Sequence, residues 1–313
     1  MKKINLFFAI DDNYCPFLSI AVHSILKNAS RDCKYDIYVL HNGMADENKS
    51  IIENQIKDDA SIEFVDVLEF VDMKEKLDLL ADKLVTRDYY TKTTYYRLFI
   101  PNMFPNLDKA LYLDVDIVVN GDISKLYNVE LGNNLVGAIP DSAVQNTPVF
   151  VDYVENVLGV KGDRYFNAGI LLMNLKQMRE EDFEGQFIDL LGKYSFRVAQ
   201  DQDYLNVLTK DRVEYIDYSW NVMPIPNNIC SSDEINLIHY NMLWKPWIFK
   251  GTLYEDIFWN YAKESPMYQK VLDGFNSMTD EIRENKLKGG AALLEMAGIE
   301  AKDPNNYKNK FQK

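Results

Sequence analysis

The sequence predicts an α/β fold in which buried parallel strands alternate with helices. Three apolar runs, at 4–10 (INLFFAI), 35–40 (YDIYVL) and 62–67 (IEFVDV), have the length and composition of strands. Helical patterns at 17–26 and 46–57 separate these runs. Strands that alternate with helices are typical of parallel βαβ units, so the three runs are expected to lie side by side.

Further apolar runs extend the predicted sheet. Residues 110–119 (ALYLDVDIVV) and 135–139 (LVGAI) are predicted strands, and 166–175 (FNAGILLMNL) carries another apolar run. Ligands of open α/β sheets bind at the carboxyl ends of the strands, so the functional site is expected there.

The pattern changes to helical segments from Gly251 onward. Two segments, YEDIFWNYAKES and MYQKVLDGFNSMTDEIRENKL, are predicted helices, and Gly289-Gly290 is predicted to break the helical pattern after them. We therefore expect a main domain at 1–250 and a C-terminal helical extension at 251–313.

Composition and charge exclude some classes of function. The 313 residues include 34 Lys and Arg against 48 Asp and Glu, which gives a formal net charge of −14. Proteins bind nucleic acids mainly through Lys and Arg that neutralise phosphates, so no nucleic-acid partner is expected. The 47% of hydrophobic and 26% of charged residues are typical of a globular protein.

Cysteine usage and the N-terminal residues predict a cytoplasmic location. The three cysteines are widely spaced and lack a metal-ligand pattern, as is usual for reduced thiols. The first apolar run ends at Asp11 without the small-residue cleavage site of a signal peptide. No apolar stretch reaches the roughly 18 residues of a transmembrane helix. The expected location is the cytoplasm, with the inner face of the cell membrane as the alternative.

Two acidic residues, Asp114 and Asp116, interrupt the apolar run 110–119. Side chains two positions apart in a strand face the same side, so both carboxylates could share a divalent cation. Such a cation would offset the unfavourable burial of the two charges. Solvation at a strand end, or a salt bridge to a neighbour, stays open as the alternative, since Asp201 and Asp203 repeat the same spacing.

The same pair also resembles the opening motif of haloacid-dehalogenase-like phosphatases. In those enzymes the first Asp is a nucleophile and the second a general acid. Their motif normally lies on the first strand, whereas at least three predicted strands precede Asp114 here. No downstream Gly-Asp acidic cluster for magnesium is present in the sequence either, and both observations disfavour this class.

Six segments in chain order make the acidic pair part of a larger pattern. They are AIDDNY (9–14), TTYYRL (93–98), LYLDVDIVV (111–119), YFNAGILLMNLKQMR (165–179), QDQDYLN (200–206) and HYNMLWKPW (239–247). With them, the sequence resembles glycosyltransferase family 8, the retaining enzymes that include bacterial lipopolysaccharide galactosyl- and glucosyltransferases and glycogenin. The resemblance implies a GT-A fold, a Rossmann-like mixed sheet flanked by helices that binds a nucleotide sugar, with the C-terminal helices as an appendage.

The resemblance implies a metal site as well. Asp114, Asp116 and His239 match the family's metal ligands, and an imidazole beside two carboxylates favours Mn²⁺, with Mg²⁺ as the alternative. A histidine in the apolar segment INLIHY would otherwise be interpreted as a structural residue. The K-P-W sequence that begins six residues later, at Lys245, supports the metal interpretation.

Other matching positions are implied to bind the UDP-sugar donor. The uracil would be surrounded by four residues at the end of the first strand, namely Ala9, Asp11, Asn13 and Tyr14. Asp11 and its neighbours would otherwise be interpreted as a helix N-cap, and one residue can cap while another binds. The backbone of Val115 would approach the ribose, and Arg97 and Lys245 would contact the sugar and phosphates.

The residues nearest the reacting sugar form two further groups. Asn167, Ala168 and Gly169 match the family segment that contacts the donor sugar, although a turn into a strand is the plain structural alternative. Asp201 would hold donor hydroxyls and Gln202 would lie near the anomeric carbon, and both are the candidate catalytic residues.

Two residues near His239 are expected to affect the binding of the diphosphate and of the acceptor. Met242 stands where the family commonly has a glycine against the diphosphate, so a changed loop geometry is expected. Trp244 is expected to shape the acceptor side.

The predicted activity is transfer of glucose or galactose from a UDP-hexose to a hydroxyl of a glycan or glycoconjugate acceptor. The alternatives are a glycogenin-like protein that glucosylates itself and a non-catalytic nucleotide-sugar binder. Retention is predicted to follow front-face attack, because the amide of Gln202 is a poor nucleophile for double displacement. Residues 302–313 carry four Lys against one Asp, which predicts at most weak peripheral membrane association.

Overall fold

The computed structural model describes residues 1–57, 59–83, 92–226, 230 and 235–312. The strands of this part of the chain are β1 (Lys2–Ala9), β2 (Cys33–His41), β3 (Ala60–Asp66), β4 (Ala110–Leu113), β5 (Ile117–Val119), β6 (Val136–Pro140), β7 (Phe166–Met173), β8 (Val213–Tyr215) and β9 (Leu237–His239). The predicted strands at 4–10, 35–40 and 62–67 are therefore confirmed to within three residues at each end.

Helices occupy the connections and the C-terminal part. They are α1 (Cys15–Lys27), α2 (Asp46–Glu53), α3 (Met73–Lys83), α4 (Ile100–Met103), α5 (Ile123–Tyr127), α6 (Ser142–Gln145), α7 (Pro148–Tyr153), α8 (Leu175–Glu180), α9 (Phe183–Lys193), α10 (Asp201–Leu208), α11 (Glu255–Glu264), α12 (Tyr268–Ser277), α13 (Asp280–Glu300) and α14 (Tyr307–Phe311). Short 3₁₀ segments at Asp12–Tyr14 and Lys92–Leu98 carry residues of the site described below.

The strands form a mixed seven-stranded sheet in the order β3-β2-β1-β4-β7-β6-β8 within the described residues. β1, β2, β3 and β4 are parallel, as alternation of strands and helices predicts. β7 runs antiparallel to both β4 and β6. β5 and β9 leave this sheet and pair with each other as a separate antiparallel ribbon.

The sheet is buried on both faces, which explains the unbroken apolar runs of its central strands. Along β1, Leu6 and Phe8 face a core that contains Leu18 of α1, whereas Phe7 faces a second core with Tyr112 of β4. All five side chains are almost fully buried. Helices on both faces therefore hold the carboxyl ends of β1 and β4 in a fixed position.

The prediction of one continuous strand over 110–119 is wrong. The apolar run splits into β4 and β5, and Asp114, Val115 and Asp116 form the connection between them. Because β4 belongs to the main sheet and β5 pairs with β9, the chain changes sheets at the acidic pair. The two carboxylates therefore lie at a strand end and do not project from the middle of a strand.

Two further predictions for the C-terminal part are wrong. Residues 267–287 do not form one helix, because Met278 and Thr279 separate α12 from α13 and the Thr279 side chain accepts a hydrogen bond from the Ile282 N–H. Gly289 and Gly290 do not break the pattern and lie inside α13. Packing of Leu293 and Ala297 into the main core stabilises this helix despite the low helix propensity of glycine.

The C-terminal helices pack back onto the main domain. α11 and α12 contact α1, α13 contacts α7, and α14 contacts the turn that follows α7. Within the basic C-terminal segment, the Lys308 ammonium donates to the Glu155 carbonyl. Lys313 lies outside the described residues. The boundary at residue 250 and the weak membrane association stay predictions.

The described helices include none that is both apolar enough and long enough to cross a membrane.

Candidate active site

One pocket at the carboxyl ends of β1 and β4 holds the predicted site. Its cavity volume of about 440 Å³ is in the range of small-molecule sites. Every residue that the sequence assigned to metal, nucleotide sugar or catalysis lines it. These residues are Ala9, Asp11, Asn13, Tyr14, Arg97, Asp114, Val115, Asp116, Asn167, Ala168, Gly169, Asp201, Gln202, His239 and Lys245. The structure brings them together around one cavity.

Asp114, Asp116 and His239 form a cluster that can hold a metal ion. One ligand atom from each residue lies within 4.8 Å of the others. His239 Nε2 is 3.1 Å from Asp116 Oδ1 and 3.8 Å from Asp114 Oδ2. Two carboxylates and one imidazole suit a divalent ion such as Mn²⁺. The residues present therefore fit the cation that the sequence predicts.

Backbone hydrogen bonds hold the acidic connection in place from both sides. The Asp114 N–H donates to the Gly169 carbonyl of β7 at 2.7 Å, and the Tyr240 N–H donates to the Asp116 carbonyl at 2.8 Å. Pairing of Ile117 with His239 then sets the ribbon register that brings the imidazole to the carboxylates. The cluster is thus a product of strand pairing between distant segments.

Neighbouring polar groups orient the cluster. His239 Nδ1 lies 3.0 Å from Asn221 Oδ1, so a proton on Nδ1 leaves the Nε2 lone pair directed at the carboxylates. The Tyr112 hydroxyl donates to Asp114 Oδ1 at 2.9 Å. Sequence reasoning missed Asn221, because no local pattern marks a side chain that becomes adjacent to His239 only in the fold.

Lys245 makes an ion pair with Asp116 at the edge of the cluster. Its ammonium also donates to the Tyr240 carbonyl at 2.8 Å, and its side chain is buried. Burial by itself would raise the pKa of Asp116, but its interactions with Lys245 and His239 outweigh burial and hold this pKa below its ordinary value. Asp116 is therefore a carboxylate that can ligate a cation at neutral pH.

Arg97 lies in the centre of the pocket wall and not on the surface. Its Nε–H donates to the Thr94 carbonyl at 2.8 Å, and its Nη1 donates to the Ala168 carbonyl. The guanidinium stacks on the ring of Tyr112 at 4.3 Å, and its Nη2 is 3.1 Å from Asp114 Oδ1. These partners hold the buried guanidinium in a fixed position beside the cluster.

Asp201, the first residue of α10, presents an unused acceptor in this pocket. Arg97 Nε is 3.1 Å from its Oδ2, but that N–H is directed to the Thr94 carbonyl, so Oδ2 accepts no hydrogen bond from the described residues. Burial raises the pKa of Asp201 to about 7, although Arg97 opposes the shift. A hydroxyl from a ligand would satisfy this buried oxygen.

Gln202 is held by a network that includes a residue the sequence reasoning missed. Its Oε1 accepts from the Ala168 N–H at 2.9 Å and from Asn167 Nδ2 at 3.2 Å. Its Nε2 donates to Asp141 Oδ2 at 3.2 Å. Asp141 is buried, and its other oxygen caps α6. The signal was an acid two residues after the predicted strand at 135–139, near the place where site residues are expected.

The turn after β1 forms the end of the pocket predicted to bind the base. Asp11 Oδ1 accepts from the Asn13 N–H at 2.9 Å and caps the 3₁₀ segment Asp12–Tyr14. The capping interpretation is therefore confirmed. Asn13 and Tyr14 line the pocket beside it, so the cap places both side chains next to the cavity.

Met242 adopts a backbone conformation that favours glycine. Its φ of 56° lies in the left-handed region, which costs a non-glycine residue about 1 kcal/mol or more. The methionine thus keeps the local shape that a glycine adopts more easily, while its side chain lines the pocket. A changed loop geometry relative to the family stays a prediction.

Asp203 anchors the first turn of α10 and does not enter the pocket. It accepts hydrogen bonds from the hydroxyls of Tyr153 and Tyr165 and from the Ala199 N–H. Burial nevertheless raises the pKa of Asp203 to about 6, from a value of 3.8 for a free side chain. The prediction that this residue belongs to the helix structure is consistent with these contacts.

Asp203 should make the protein less stable as the pH rises from about 4 to 7. In this range the folded state keeps a proton that the unfolded state has lost, so stability falls with rising pH. We expect about 2 kcal/mol less free energy of unfolding from this group at about pH 7.5 than at about pH 4.5. Urea unfolding of native protein and Asp203→Asn at both pH values measures the difference. An unchanged pH dependence in Asp203→Asn, while Asp78→Asn on exposed α3 behaves as native, would contradict this account.

The family model for glycosyl transferase family 8 matches residues 5–251 of the chain. A protein of Haemophilus influenzae whose name assigns it to the glycosyltransferases is 31% identical over 255 residues, covering 78% of this chain and 73% of its own. The lipopolysaccharide 1,2-glucosyltransferase of Escherichia coli is 25% identical over 273 residues, or 81% of this chain and 75% of its own.

Solved structures show the same relationship. An active-site mutant of LgtC superimposes with a TM-score of 0.70 and 26% identity over 84% of this chain and 96% of LgtC. The galactosyltransferase LgtC in complex with donor and acceptor sugar analogues gives a TM-score of 0.64 and 25% identity over 90% and 100% of the two chains.

Fold and comparisons together define a glycosyltransferase of the GT-A type. The chain belongs to glycosyltransferase family 8.

Proposed function

We propose that this protein transfers a hexose, glucose or galactose, from a UDP-sugar to a hydroxyl of a glycan or glycoconjugate acceptor. The proposal includes dependence on a divalent cation, Mn²⁺ first, and retention of the anomeric configuration. The observation that carries it is one pocket in which Asp114, Asp116 and His239 adjoin the buried cations Arg97 and Lys245. The LgtC complex with donor and acceptor sugar analogues supports both substrate classes.

The charges of the pocket suit a nucleoside diphosphate. A divalent cation bound to Asp114, Asp116 and His239 would offset the negative charge of the diphosphate as it leaves. Lys245 adds an ammonium at the same edge, and Arg97 adds a guanidinium on the sugar side. Both are buried, so their attraction for an anion is screened less than at a protein surface.

Asp201 and Gln202 are proposed to act at the hexose. Asp201 Oδ2, which accepts no hydrogen bond from the described residues, would accept a donor hydroxyl, and the Gln202 amide would lie at the anomeric carbon. Since the Gln202 Oε1 already accepts two hydrogen bonds, it is a positioning group and a poor nucleophile. Attack by the acceptor hydroxyl on the face that the diphosphate leaves, with the leaving phosphate taking the proton, explains retention without an enzyme-bound sugar.

A donor screen tests the proposal. UDP release is measured with UDP-glucose, UDP-galactose and their N-acetyl forms, in Mn²⁺ and in EDTA. We expect release from one of the two hexose donors at least about tenfold above the others, and only in Mn²⁺. Equal rates in EDTA, or release only from the N-acetyl donors, would contradict the proposal.

Mass spectrometry of the protein after the same reaction separates the alternatives. An enzyme that acts on external acceptors leaves the mass of the chain unchanged. A mass gain in hexose steps on tyrosine would indicate self-glucosylation, and a single hexose on Asp201 would contradict front-face attack. A nucleotide-sugar binder would release no UDP. The phosphatase class is disfavoured further because Asp114 follows the fourth strand of the chain.

A further inference from the structure

Helix α13 forms one wall of the pocket, although it lies beyond the residues matched by the family model. Gly289, Gly290 and Leu293 line the cavity together with residues of the 241–245 loop. The pocket is therefore bounded by the C-terminal helices of this chain as well as by the main sheet.

Contacts near both ends of α13 hold the helix against the main domain. On one side, Arg283 Nε donates to the Ile248 carbonyl at 2.8 Å. On the other side, Leu293 and Ala297 are buried in the core that contains Phe150 of α7. The helix thus crosses the pocket between two fixed contacts.

Gly290 faces the cavity at the point of crossing. Arg283, Gly290 and Ala297 are spaced by seven residues, so they lie on the same face of the helix. The first and last of these face the body of the protein, which means that Gly290 does too. At this inward position the helix presents no side chain.

Packing within the protein does not require glycine at this position. A Cβ added to Gly290 would meet Leu243 Cδ2 at 3.5 Å, an ordinary van der Waals contact, and the backbone there is helical. Alanine would fit and would favour the helix more than glycine does. The missing side chain therefore leaves space for something other than the protein.

Leu243 is the side chain that a Cβ on Gly290 would meet, and Leu293 lies three residues further along α13. The apolar lining of the pocket includes these two and Val144, Phe150 and Val154, in contrast to the cation site. It borders the proposed reaction centre, because Gln202 is hydrogen-bonded to Asp141, which in turn accepts from the Val144 N–H at 3.0 Å. Sugar hydroxyls placed against these side chains would lose hydrogen bonds to water without replacement.

We infer that this apolar part of the pocket binds an apolar group attached to the acceptor sugar. The space left by the missing side chain of Gly290 would admit that group. The inference rests on the proposed function, since it takes Gln202 as the reaction centre. It assigns the acceptor to glycosides that carry an alkyl or aryl aglycone next to the accepting hexose. A free sugar would leave the apolar walls exposed to water and would bind more weakly.

Binding of synthetic glycosides tests the inference without donor turnover. The probes are glucose, galactose and their phenyl and n-hexyl β-glycosides, titrated into the full chain with Mn²⁺ and UDP and followed by isothermal titration calorimetry. We expect at least one glycoside to bind about tenfold or more tightly than its free sugar, as burial of several methylene groups predicts. Equal affinity for free sugars and glycosides would overturn the inference.

Two substitutions at Gly290 and one control locate the binding. Gly290→Leu should remove the preference for the glycoside, and Gly290→Ala, which fits the helix, should weaken it by a smaller factor. Ala292→Leu places the same side chain on an exposed face of α13 and should bind as native. Unchanged glycoside binding by a folded Gly290→Leu would overturn the inference. If the proposed function is wrong, the native protein releases no UDP in the donor screen. That result is measured separately from glycoside binding.

Discussion

Asp116→Asn is expected to reduce Mn²⁺-dependent UDP release by about a hundredfold or more. The substitution removes the charge of a carboxylate that lies 3.1 Å from His239 Nε2 and pairs with Lys245. Asparagine keeps one oxygen that can accept from the Lys245 ammonium, so the chain should still fold. The measurement is the initial rate of UDP release at saturating donor over a range of Mn²⁺ concentrations.

The control for this variant is Asp78→Asn, which removes the same charge from an exposed position of α3. It should have the native rate and the native dependence on Mn²⁺. Near-normal turnover of Asp116→Asn, above all with EDTA present, would show that the acidic pair holds no catalytic cation. Circular dichroism of both variants distinguishes loss of the site from loss of the fold.

Gly169→Ala is expected to damage both the fold and the metal site. A Cβ at this position would lie 2.4 Å from His239 Cε1 and 2.7 Å from Asp114 Oδ2, closer than real Cβ contacts come. The Gly169 carbonyl also accepts a hydrogen bond from the Asp114 N–H. The methyl group must therefore displace two of the three proposed ligands.

We expect a loss of about 1–3 kcal/mol in the free energy of unfolding and a loss of about tenfold or more in Mn²⁺ affinity. Urea unfolding and the Mn²⁺ dependence of UDP release measure the two effects. Gly192→Ala is the matched control, because a Cβ at Gly192 in α9 meets nothing within 4 Å. A Gly169→Ala protein with native Mn²⁺ dependence would contradict the placement of the ligands.

Local patterns were sufficient to predict the first three strands and the region of the site. Apolar runs that are buried on both faces, such as β1, have few alternatives to a central parallel strand. Family resemblance supplied the site residues as a set, and the structure places that set around one pocket. Each of these features can be predicted from a short segment of the sequence taken by itself.

The features that sequence reasoning missed depend on contacts between distant segments. The apolar run 110–119 suited one strand, but β5 pairs with β9, so the chain leaves the main sheet at Asp114. Gly289-Gly290 resembled a helix break, and packing of Leu293 and Ala297 outweighs that local preference. Asp141 and Asn221 gained their positions beside Gln202 and His239 only through the tertiary fold.

Asp114, Asp116 and His239 are proposed to bind the cation that in turn binds the nucleoside diphosphate. Titration of Mn²⁺ into the native protein, followed by the electron paramagnetic resonance signal of free Mn²⁺, measures this binding. We predict one bound ion per chain, bound more tightly when UDP is present, and loss of this binding in Asp116→Asn. Native protein that binds no Mn²⁺ with UDP present, or an Asp116→Asn variant that binds it equally well, would contradict the claim.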